Sequence, residues 1–166
     1  AHGAIFILDE IVTGFRYALG GVQEYYHVIP DLACFGKGMS NGMPLSCIVG
    51  KREIMKCFKE VFFSTTFGGE TLSLAAAIAT INEIRKKKVI SHLWRLGLQW
   101  KNGFNNLARE IGVSAEVGGA GPRTHFVFKD KAGKDSLDMK SLFMQETVKQ
   151  GILFGGPIFM TYSHTA

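Results

Sequence analysis

Two short apolar runs that each end beside a charged residue constrain the fold of this chain most strongly. Residues 4–9 form an apolar run that ends in Asp9, and residues 31–35 form a second run that ends just before Lys37. Continuous apolar runs of this length are typical of parallel strands covered on both faces. Residues 20–27 lie between them and favour a short helix. The pattern therefore predicts a strand–helix–strand unit with a right-handed crossover and two parallel neighbours.

The predicted strands bring an acid and an amine to one edge of a sheet. Because parallel strands have their carboxyl ends on the same edge, we expect Asp9 and Lys37 to lie there together, where open α/β sheets bind ligands. A lysine at the end of a buried strand is costly unless it is paired or neutral. An amine beside a carboxylate is the arrangement that a lysine-bound cofactor with an acidic partner requires.

The rest of the chain divides into a part with long helices and a smaller part with short strands. The change predicts an α/β portion over residues 1–88, with a mainly parallel sheet, followed by a small α+β domain over residues 89–166. The face of the first long helix that carries Leu74, Ala75, Ile78 and Ile81 is expected to pack closely. The further predicted elements are strands at 45–49, 113–117, 124–128, 152–154 and 159–162, helices at 51–58, 70–87, 89–111 and 136–150, and a glycine-rich turn at 118–122.

Composition excludes several other classes of protein. The chain has 166 residues, 46% hydrophobic and 20% charged, which is typical of a globular domain. No apolar run approaches the roughly 20 residues of a membrane helix. Its three cysteines lack metal-site spacing and favour reduced thiols in a cytoplasmic protein. Much of the +5 net charge comes from residues 85–88, which we interpret as a solvated helix end and not as a nucleic-acid surface.

Three ordered segments resemble one protein family. Residues 8–16, Leu-Asp-Glu-Ile-Val-Thr-Gly-Phe-Arg, resemble the Asp-Glu-Val-x-Thr-Gly-x-Arg motif of class III aminotransferases, which are pyridoxal-phosphate enzymes of fold type I. Residues 30–45 resemble the lysine segment of that family. Residues 64–75 resemble its Gly-Thr-Phe-x-Gly-Asn-Pro-Leu-Ala segment. Within the family, the chain resembles the glutamate-1-semialdehyde aminomutase-like branch.

The resemblance implies a role for four residues in binding pyridoxal 5'-phosphate. Lys37 would form the internal aldimine, a Schiff base, and move a proton between substrate and cofactor. Asp9 would pair with the pyridine nitrogen, and Ile11 would press on one face of the ring. Thr66 would hydrogen-bond the cofactor phosphate of a second subunit, which implies a homodimer. The substrates would be a small amine or amino acid and a carbonyl acceptor.

Some residues depart from the family pattern or allow two interpretations. Val12 replaces a glutamine common in the family, which favours the aminomutase-like branch, and Glu70 and the threonine after it replace an Asn-Pro pair. Glu10 either orders Lys37 or Arg16 by charge pairing or faces solvent.

Two arginines are further candidates for a role in the site. Arg16 is interpreted as a structural ion-pair partner. Arg123 either binds a substrate carboxylate or is a surface arginine at the start of a strand.

Two other functions remain open from the residues alone. One is a cofactor-free Schiff-base lyase or aldolase that uses Lys37, and the other is a non-catalytic interaction fragment in which Lys37 is structural. Members of the resembled family are more than twice as long, and the chain has no initiator methionine. We therefore expect a C-terminal fragment that holds about half of a site and has weak or no activity by itself.

Overall fold

The structure is a computed structural model that describes residues 3–165. The chain forms two compact units, Ala1–Ile90 and Ser91–Ala166. Residues 1, 2 and 166, which are the outer ends of the two predicted domains, lie outside the described residues. Among the residues that are described, no helix is long and apolar enough to cross a membrane.

The first unit contains a three-stranded sheet in the order β1-β2-β3. Its strands are β1 (Ile7–Asp9), β2 (Leu32–Phe35) and β3 (Cys47–Gly50). β1 and β2 are parallel, as predicted. β3 pairs with β2 in the antiparallel sense, so this sheet is mixed where the sequence predicted a mainly parallel one. The reason is the short return from β2 to β3, since a parallel connection requires a dozen or more residues and usually a helix.

Three helices accompany this sheet: α1 (Val22–Tyr25), α2 (Arg52–Met55) and α3 (Thr71–Lys86). Short 3-10 helices follow β2 at Lys37–Met39 and α2 at Lys56–Lys59. The helix predicted at 51–58 is thus one turn of α-helix continued by a 3-10 turn. The core of the unit is a cluster formed by Ala33, Phe35, Met39 and Ala77.

The packed face of α3 differs from the predicted one. Ser73 and Ala77 are buried, and Ile81 packs against the core. Leu74 is 43% exposed and Ile78 is 64% exposed, and Ala75 is also exposed, so the expectation for these three residues was wrong. Small side chains allow α3 to approach the core closely, and a helix presents one stripe of residues to its neighbour. The larger apolar residues therefore lie on the outer face.

β1 lies at an edge of the sheet, and its apolar residues are largely exposed. The side chains of Ile5, Phe6 and Ile7 are all exposed, although the sequence predicted a strand covered on both faces. Among residues 3–165 the sheet has no strand beyond β1, so the outer backbone edge of this strand is also unpaired. The described strand is also shorter than predicted and begins at Ile7.

The second unit packs two helices with an antiparallel sheet in the order β4-β5-β6. Its strands are β4 (Ala115–Ala120), β5 (Arg123–Phe128) and β6 (Ile158–Phe159), and its helices are α4 (Val89–Glu110, which begins in the first unit) and α5 (Leu137–Lys149). The aromatic core contains five phenylalanines whose ring centroids lie 4.8–6.0 Å from those of their neighbours in the set. They are Phe104, Phe126, Phe128, Phe143 and Phe154.

Several predicted boundaries in the second unit are confirmed. Gly112 follows the end of α4 with φ +70°, and Gly151 follows α5 with φ +79°. The hydroxyl of Ser136 caps α5 by accepting a hydrogen bond from the Met139 N–H at 3.2 Å. Glycine supplies the left-handed residue at a helix end without steric cost.

Three predictions in this unit, one for a turn and two for strands, were wrong. Residues 118–120 continue β4, so the turn is only Gly121-Pro122. Residues 152–154 are not a strand, and β6 covers only Ile158–Phe159 instead of 159–162. The glycines and the proline at 155–157 interrupt ladder pairing at this point, because proline lacks an N–H donor and glycine weakens a strand.

Candidate active site

Lys37 follows β2 after one intervening glycine and opens the 3-10 helix Lys37–Met39. Its φ of +42° lies in the left-handed region, which residues other than glycine adopt rarely and often at functional positions. The preceding Gly36 is buried, whereas Lys37 itself is exposed. The expectation of a buried lysine was therefore wrong for this chain. The reason is that β2 ends at Phe35, and Lys37 lies in the 3-10 helix that follows the strand.

Asp9 ends β1 on the same sheet edge. It is opposite Cys34 in the parallel register, and the Glu10 N–H continues the ladder by donating to the Cys34 carbonyl at 2.9 Å. β2 ends one residue later at Phe35, and Lys37 follows it. The structure thus brings the Asp9 and Lys37 positions to one edge, as the topology predicted. The Asp9 carboxylate is exposed, and its Oδ1 accepts a hydrogen bond from the Ile11 N–H at 2.9 Å.

Ile11 packs against the backbone that leads into Lys37. A Cβ placed on Gly36 would lie 3.2 Å from Ile11 Cδ1, 3.6 Å from the Leu45 carbonyl oxygen and 3.7 Å from Ser46 Cβ. These contacts are close, so a side chain at Gly36 would occupy the space beside Ile11. Glycine at this position therefore allows Ile11 to pack closely against the loop that leads into the lysine.

Ile11 and Thr66 share an open groove of about 900 Å³ in the first unit. Asp9 and Lys37 are not among its lining residues, so the groove holds only two of the four predicted residues, and Ile11 also contacts Asp9 through its N–H. None of the described lining residues is charged. Apart from Ile11 and Thr66, the lining consists of Cys34, Phe35, Pro44, Leu45, Ser46, Cys47, Ile48, Met55, Phe58, Phe63, Thr65, Phe67, Gly68 and Gly69.

Two cysteines line this groove without forming a pair. Cys47 is opposite Phe35 in the antiparallel register, and Cys34 precedes Phe35, so the two thiols point to opposite faces of the sheet. Partial burial raises the pKa of the Cys47 thiol, and its Sγ lies 3.8 Å from Met39 Sδ. The two cysteines are therefore residues of β2 and β3 whose thiols do not face each other. Across the described residues there is no cluster of side chains that could hold a metal ion.

Glu10 has neither of the two roles that the sequence suggested. It is fully buried, and its carboxylate accepts hydrogen bonds from the Thr13 hydroxyl and from the N–H groups of Val22 and Gln23, both at 2.9 Å. It therefore joins the start of α1 to the tip of β1. Sequence reasoning missed this role, and the glycine pair just before α1 was the available signal.

The remaining candidates are explained by local structure. Arg16 is half-buried, and desolvation lowers the pKa of its guanidinium. Arg123 begins β5 in the second unit, with its guanidinium carbon 5.7 Å from the centre of the Phe159 ring. Glu70 caps α3 by accepting hydrogen bonds from the N–H groups of Leu72 and Ser73, both at 2.7 Å. The Ser73 hydroxyl and these amides lower the pKa of the Glu70 carboxyl, so this departure from the family pattern has a capping role.

Comparison with known sequences identifies relatives along nearly the whole chain. The family described as Aminotransferase class-III matches residues 1–159. Glutamate-1-semialdehyde 2,1-aminomutase 2 of Lachnoclostridium phytofermentans is 36% identical over 138 residues, which are 81% of this chain and 32% of the relative. Glutamate-1-semialdehyde 2,1-aminomutase of Methylacidiphilum infernorum is 33% identical over 144 residues, 85% of this chain and 33% of the relative. The chain thus spans about a third of the length of these curated relatives.

Comparison with solved structures gives the same fold. The internal aldimine form of the FumI protein of Sphingopyxis sp. MTA144 superposes with a TM-score of 0.87 at 22% identity, over 98% of this chain and 39% of that one. A β-phenylalanine aminotransferase from Variovorax paradoxus gives a TM-score of 0.86 at 20% identity, over 98% and 41%. These likenesses show the fold, a portion of the pyridoxal-phosphate transaminase fold, and the family match over residues 1–159 shows the kinship. The chain belongs to the class III aminotransferase family.

Proposed function

We propose that this chain is part of a pyridoxal-phosphate-dependent enzyme that transfers an amino group between a small amine or amino acid and a carbonyl compound. The observation that carries the proposal is the shared sheet edge of Asp9, which ends β1, and Lys37, which follows the adjacent parallel strand β2 after one glycine. Both transamination and intramolecular amino exchange would use this pair of groups. The curated relatives named above are aminomutases, and the structural neighbours include aminotransferases.

The residues at this edge fit the cofactor. When bound, pyridoxal phosphate supplies an aldehyde for a lysine amine and a pyridine ring that accepts electrons from the substrate. Lys37 is exposed, and the buried Gly36 before it allows Ile11 to pack against the adjoining loop. Asp9 presents an exposed carboxylate at the same edge. The amine and the carboxylate thus lie at the same edge of the sheet, and Ile11 packs beside the loop that leads into Lys37.

Each residue has a defined task in the proposal. The Lys37 amine would hold the cofactor through its aldehyde carbon, with loss of water, and would move a proton at the substrate α-carbon once a substrate amine has replaced it there. The Asp9 carboxylate holds a proton on the ring nitrogen by charge pairing. Ile11 packs on one face of the ring and excludes water there. Thr66 donates its hydroxyl to a phosphate oxygen.

The proposal includes a homodimer, because Thr66 is assigned to the cofactor of a second copy. The segment around Thr66 carries exposed apolar side chains, among them Phe62 and Phe63, and Leu72 is exposed on the neighbouring turn of α3. Burial of such residues is a main source of binding energy in obligate dimers. Residues 1–88 would then be part of the cofactor-binding domain and residues 89–166 part of the small domain, with no nucleic-acid or membrane partner. A cytoplasmic location stays a prediction from the cysteine pattern.

Chemical trapping tests the proposed lysine. The natural protein that contains these residues is expressed with pyridoxal phosphate. It is then reduced with borohydride, digested and analysed by mass spectrometry. The cofactor adduct is expected on the peptide that contains Lys37, and Lys37→Ala should lose it together with the visible absorption band. Lys51→Ala is the matched control, because Lys51 lies in the same unit and pairs with Asp31. An unchanged adduct in Lys37→Ala would contradict the proposal.

The same experiment separates the competing functions. A cofactor-free lyase or aldolase would trap a carbonyl substrate on Lys37 with no bound chromophore, and an interaction fragment would bind its partners equally well after Lys37→Ala.

Asp9→Asn is expected to lower turnover by about 10²–10³-fold while the Lys37 adduct still forms, because it removes one electrostatic contact to the ring. The 166-residue chain alone is expected to turn over weakly or not at all, and robust turnover by it would contradict that part of the proposal.

A further inference from the structure

Glu10 is a buried carboxylate between two residues that the proposed function places against the cofactor. It is 0% exposed, whereas its neighbour Asp9 is exposed and Ile11 is half-buried. Burying a carboxylate is costly unless hydrogen bonds satisfy its oxygens. Three donors do so here: the Thr13 hydroxyl and the N–H groups of Val22 and Gln23. Charge-assisted bonds of this kind are stronger than neutral ones.

The backbone of Glu10 is held as firmly as its side chain. Its N–H donates to the Cys34 carbonyl at 2.9 Å, and its carbonyl accepts from the Gly14 N–H at 2.8 Å. Gly21 closes over the carboxylate with φ +85°, and a Cβ there would lie 2.6 Å from Glu10 Oε1. Every hydrogen-bonding group of Glu10 is therefore used, and together these bonds connect β1, β2, α1 and the loop between them.

The anchoring of Glu10 has a direct consequence for Asp9. Successive side chains of an extended chain point to opposite sides, so a buried Glu10 directly after β1 directs the side chain of Asp9 to the other side. The Asp9 Oδ1 accepts the Ile11 N–H at 2.9 Å across this residue. We propose that Glu10 is a positioning residue that holds Asp9 in the orientation needed to pair with the cofactor's ring nitrogen, an inference that rests on the proposed function.

A double-mutant cycle tests whether Glu10 acts through Asp9. The affinity for pyridoxal phosphate is measured by equilibrium dialysis in the wild type, Glu10→Gln, Asp9→Asn and the double variant. Glu10→Gln replaces an acceptor oxygen with an NH₂ group that faces backbone N–H donors, and it is expected to weaken binding about ten-fold. In the Asp9→Asn background the same change is expected to have less than about a two-fold effect, because coupled residues are not additive.

Hydrogen exchange supplies a readout that does not require the cofactor. The Ile11 amide is bonded to Asp9, so its exchange rate reports the placement of that carboxylate. We expect faster exchange at Ile11 in Glu10→Gln and an unchanged rate in Glu24→Gln. Glu24 is the matched control, since it accepts the Gly20 N–H at 2.6 Å on the same short helix α1 and is exposed. Should Glu10→Gln fail to fold, Thr13→Val removes one donor and is expected to give smaller changes in the same direction.

The outcomes separate this inference from the proposed function. Losses of affinity that add in the double variant, or wild-type affinity and exchange in Glu10→Gln, overturn the positioning role and leave the proposed function intact. Absence of Lys37-dependent cofactor binding in the wild type overturns both. A coupled loss of affinity with faster exchange at Ile11 supports both.

Discussion

Gly97 on α4 lies directly against the backbone of Gly121 in the turn between β4 and β5. A Cβ placed on Gly97 would lie 2.8 Å from Gly121 Cα and would also overlap the Gly121 carbonyl, and a Cβ on Gly121 would lie 3.0 Å from the Trp94 carbonyl oxygen. Backbone atoms cannot move aside as the end of a flexible side chain can. The helix and the turn therefore approach each other only because both positions lack a side chain.

Gly97→Ala is expected to destabilise the second unit by about 1–3 kcal/mol, because overpacking forces the backbone to shift. The matched control is Gly103→Ala on the same helix, where a Cβ would have nothing within 4 Å. That change is expected to stabilise the unit by roughly 0.5–1 kcal/mol, since alanine loses less conformational entropy in a helix than glycine. Urea unfolding followed by tryptophan fluorescence measures both, because Trp94 and Trp100 both lie on α4. Equal effects of the two substitutions would disprove the packing argument.

Asn105 is the second link between α4 and β4. Its side chain accepts the Val117 N–H at 2.6 Å and donates to the Val117 carbonyl at 3.2 Å, and Val117 is buried. Asn105→Ala should cost about 1–3 kcal/mol, because two backbone groups of a buried residue lose their partner. Asn106→Ala is the control at an exposed position and should change the free energy of unfolding by less than about 0.5 kcal/mol. The same fluorescence assay applies, and a neutral Asn105→Ala would show that water replaces the amide.

In the first unit, Gly21→Ala is expected to cost about 2–5 kcal/mol. The substitution adds a left-handed residue, worth about 1–2 kcal/mol, to overpacking against the Glu10 carboxylate. Gly42→Ala separates the two effects, because Gly42 has φ +103° but a Cβ there would have nothing within 4 Å. Thermal unfolding followed by far-ultraviolet circular dichroism should show the larger loss for Gly21→Ala, and equal losses would contradict the contact.

The pair Asp31–Lys51 predicts a dependence of stability on pH. The Lys51 ammonium and the Phe6 N–H hold the pKa of the Asp31 carboxyl below its ordinary value of 3.8. Its contribution is therefore present above pH 3.8 and is lost as the pH falls through the lower folded-state value. The same hydrogen bond raises the pKa of Lys51 above 10.5, so the Lys51 contribution persists through neutral pH and is lost only above that value.

Asp31→Asn is expected to lower the melting temperature slightly at neutral pH, since exposed ion pairs contribute little. The difference from wild type should shrink as the pH falls below 3.8 and through the lower folded-state pKa of Asp31, where the wild-type carboxyl also becomes neutral. Hydrogen exchange at the β1 amides measures the effect locally. Asp135→Asn removes a comparable exposed pair from the second unit and should leave β1 exchange unchanged. A difference that grows on acidification would contradict the assignment.

The parts of the fold that local patterns determine were predictable. The helices predicted at 89–111 and 136–150 are present and are followed by Gly112 and Gly151, and the parallel pairing of β1 and β2 follows from the helix between them. The direction of β3 was not predictable from propensity, because it depends on the length of the return. The packed stripe of α3 was also missed, since the chain buries Ser73 and Ala77 and leaves larger apolar residues outside.

Some features of the candidate site were also predictable from the sequence, and others were not. The position of Asp9 and Lys37 at one edge follows from the topology. The exposure of Lys37 depends on the turn after β2, which the sequence pattern does not predict. Glu10 was misjudged because its partners are mainly backbone amides twelve and thirteen residues further on, and no side-chain pattern identifies such donors. The proposed roles of Ile11 and Thr66 stay predictions.

β1 gives this chain a property that concerns anyone who purifies it. Its outer backbone groups have no strand neighbour among residues 3–165, and the exposed Ile5, Phe6 and Ile7 lie along the same stretch. Unprotected apolar edges pair readily with other extended chains and promote aggregation. We therefore expect concentrated preparations of the 166-residue polypeptide to self-associate through the outer edge of β1. The solubility of the polypeptide is expected to rise when a charged residue replaces Phe6.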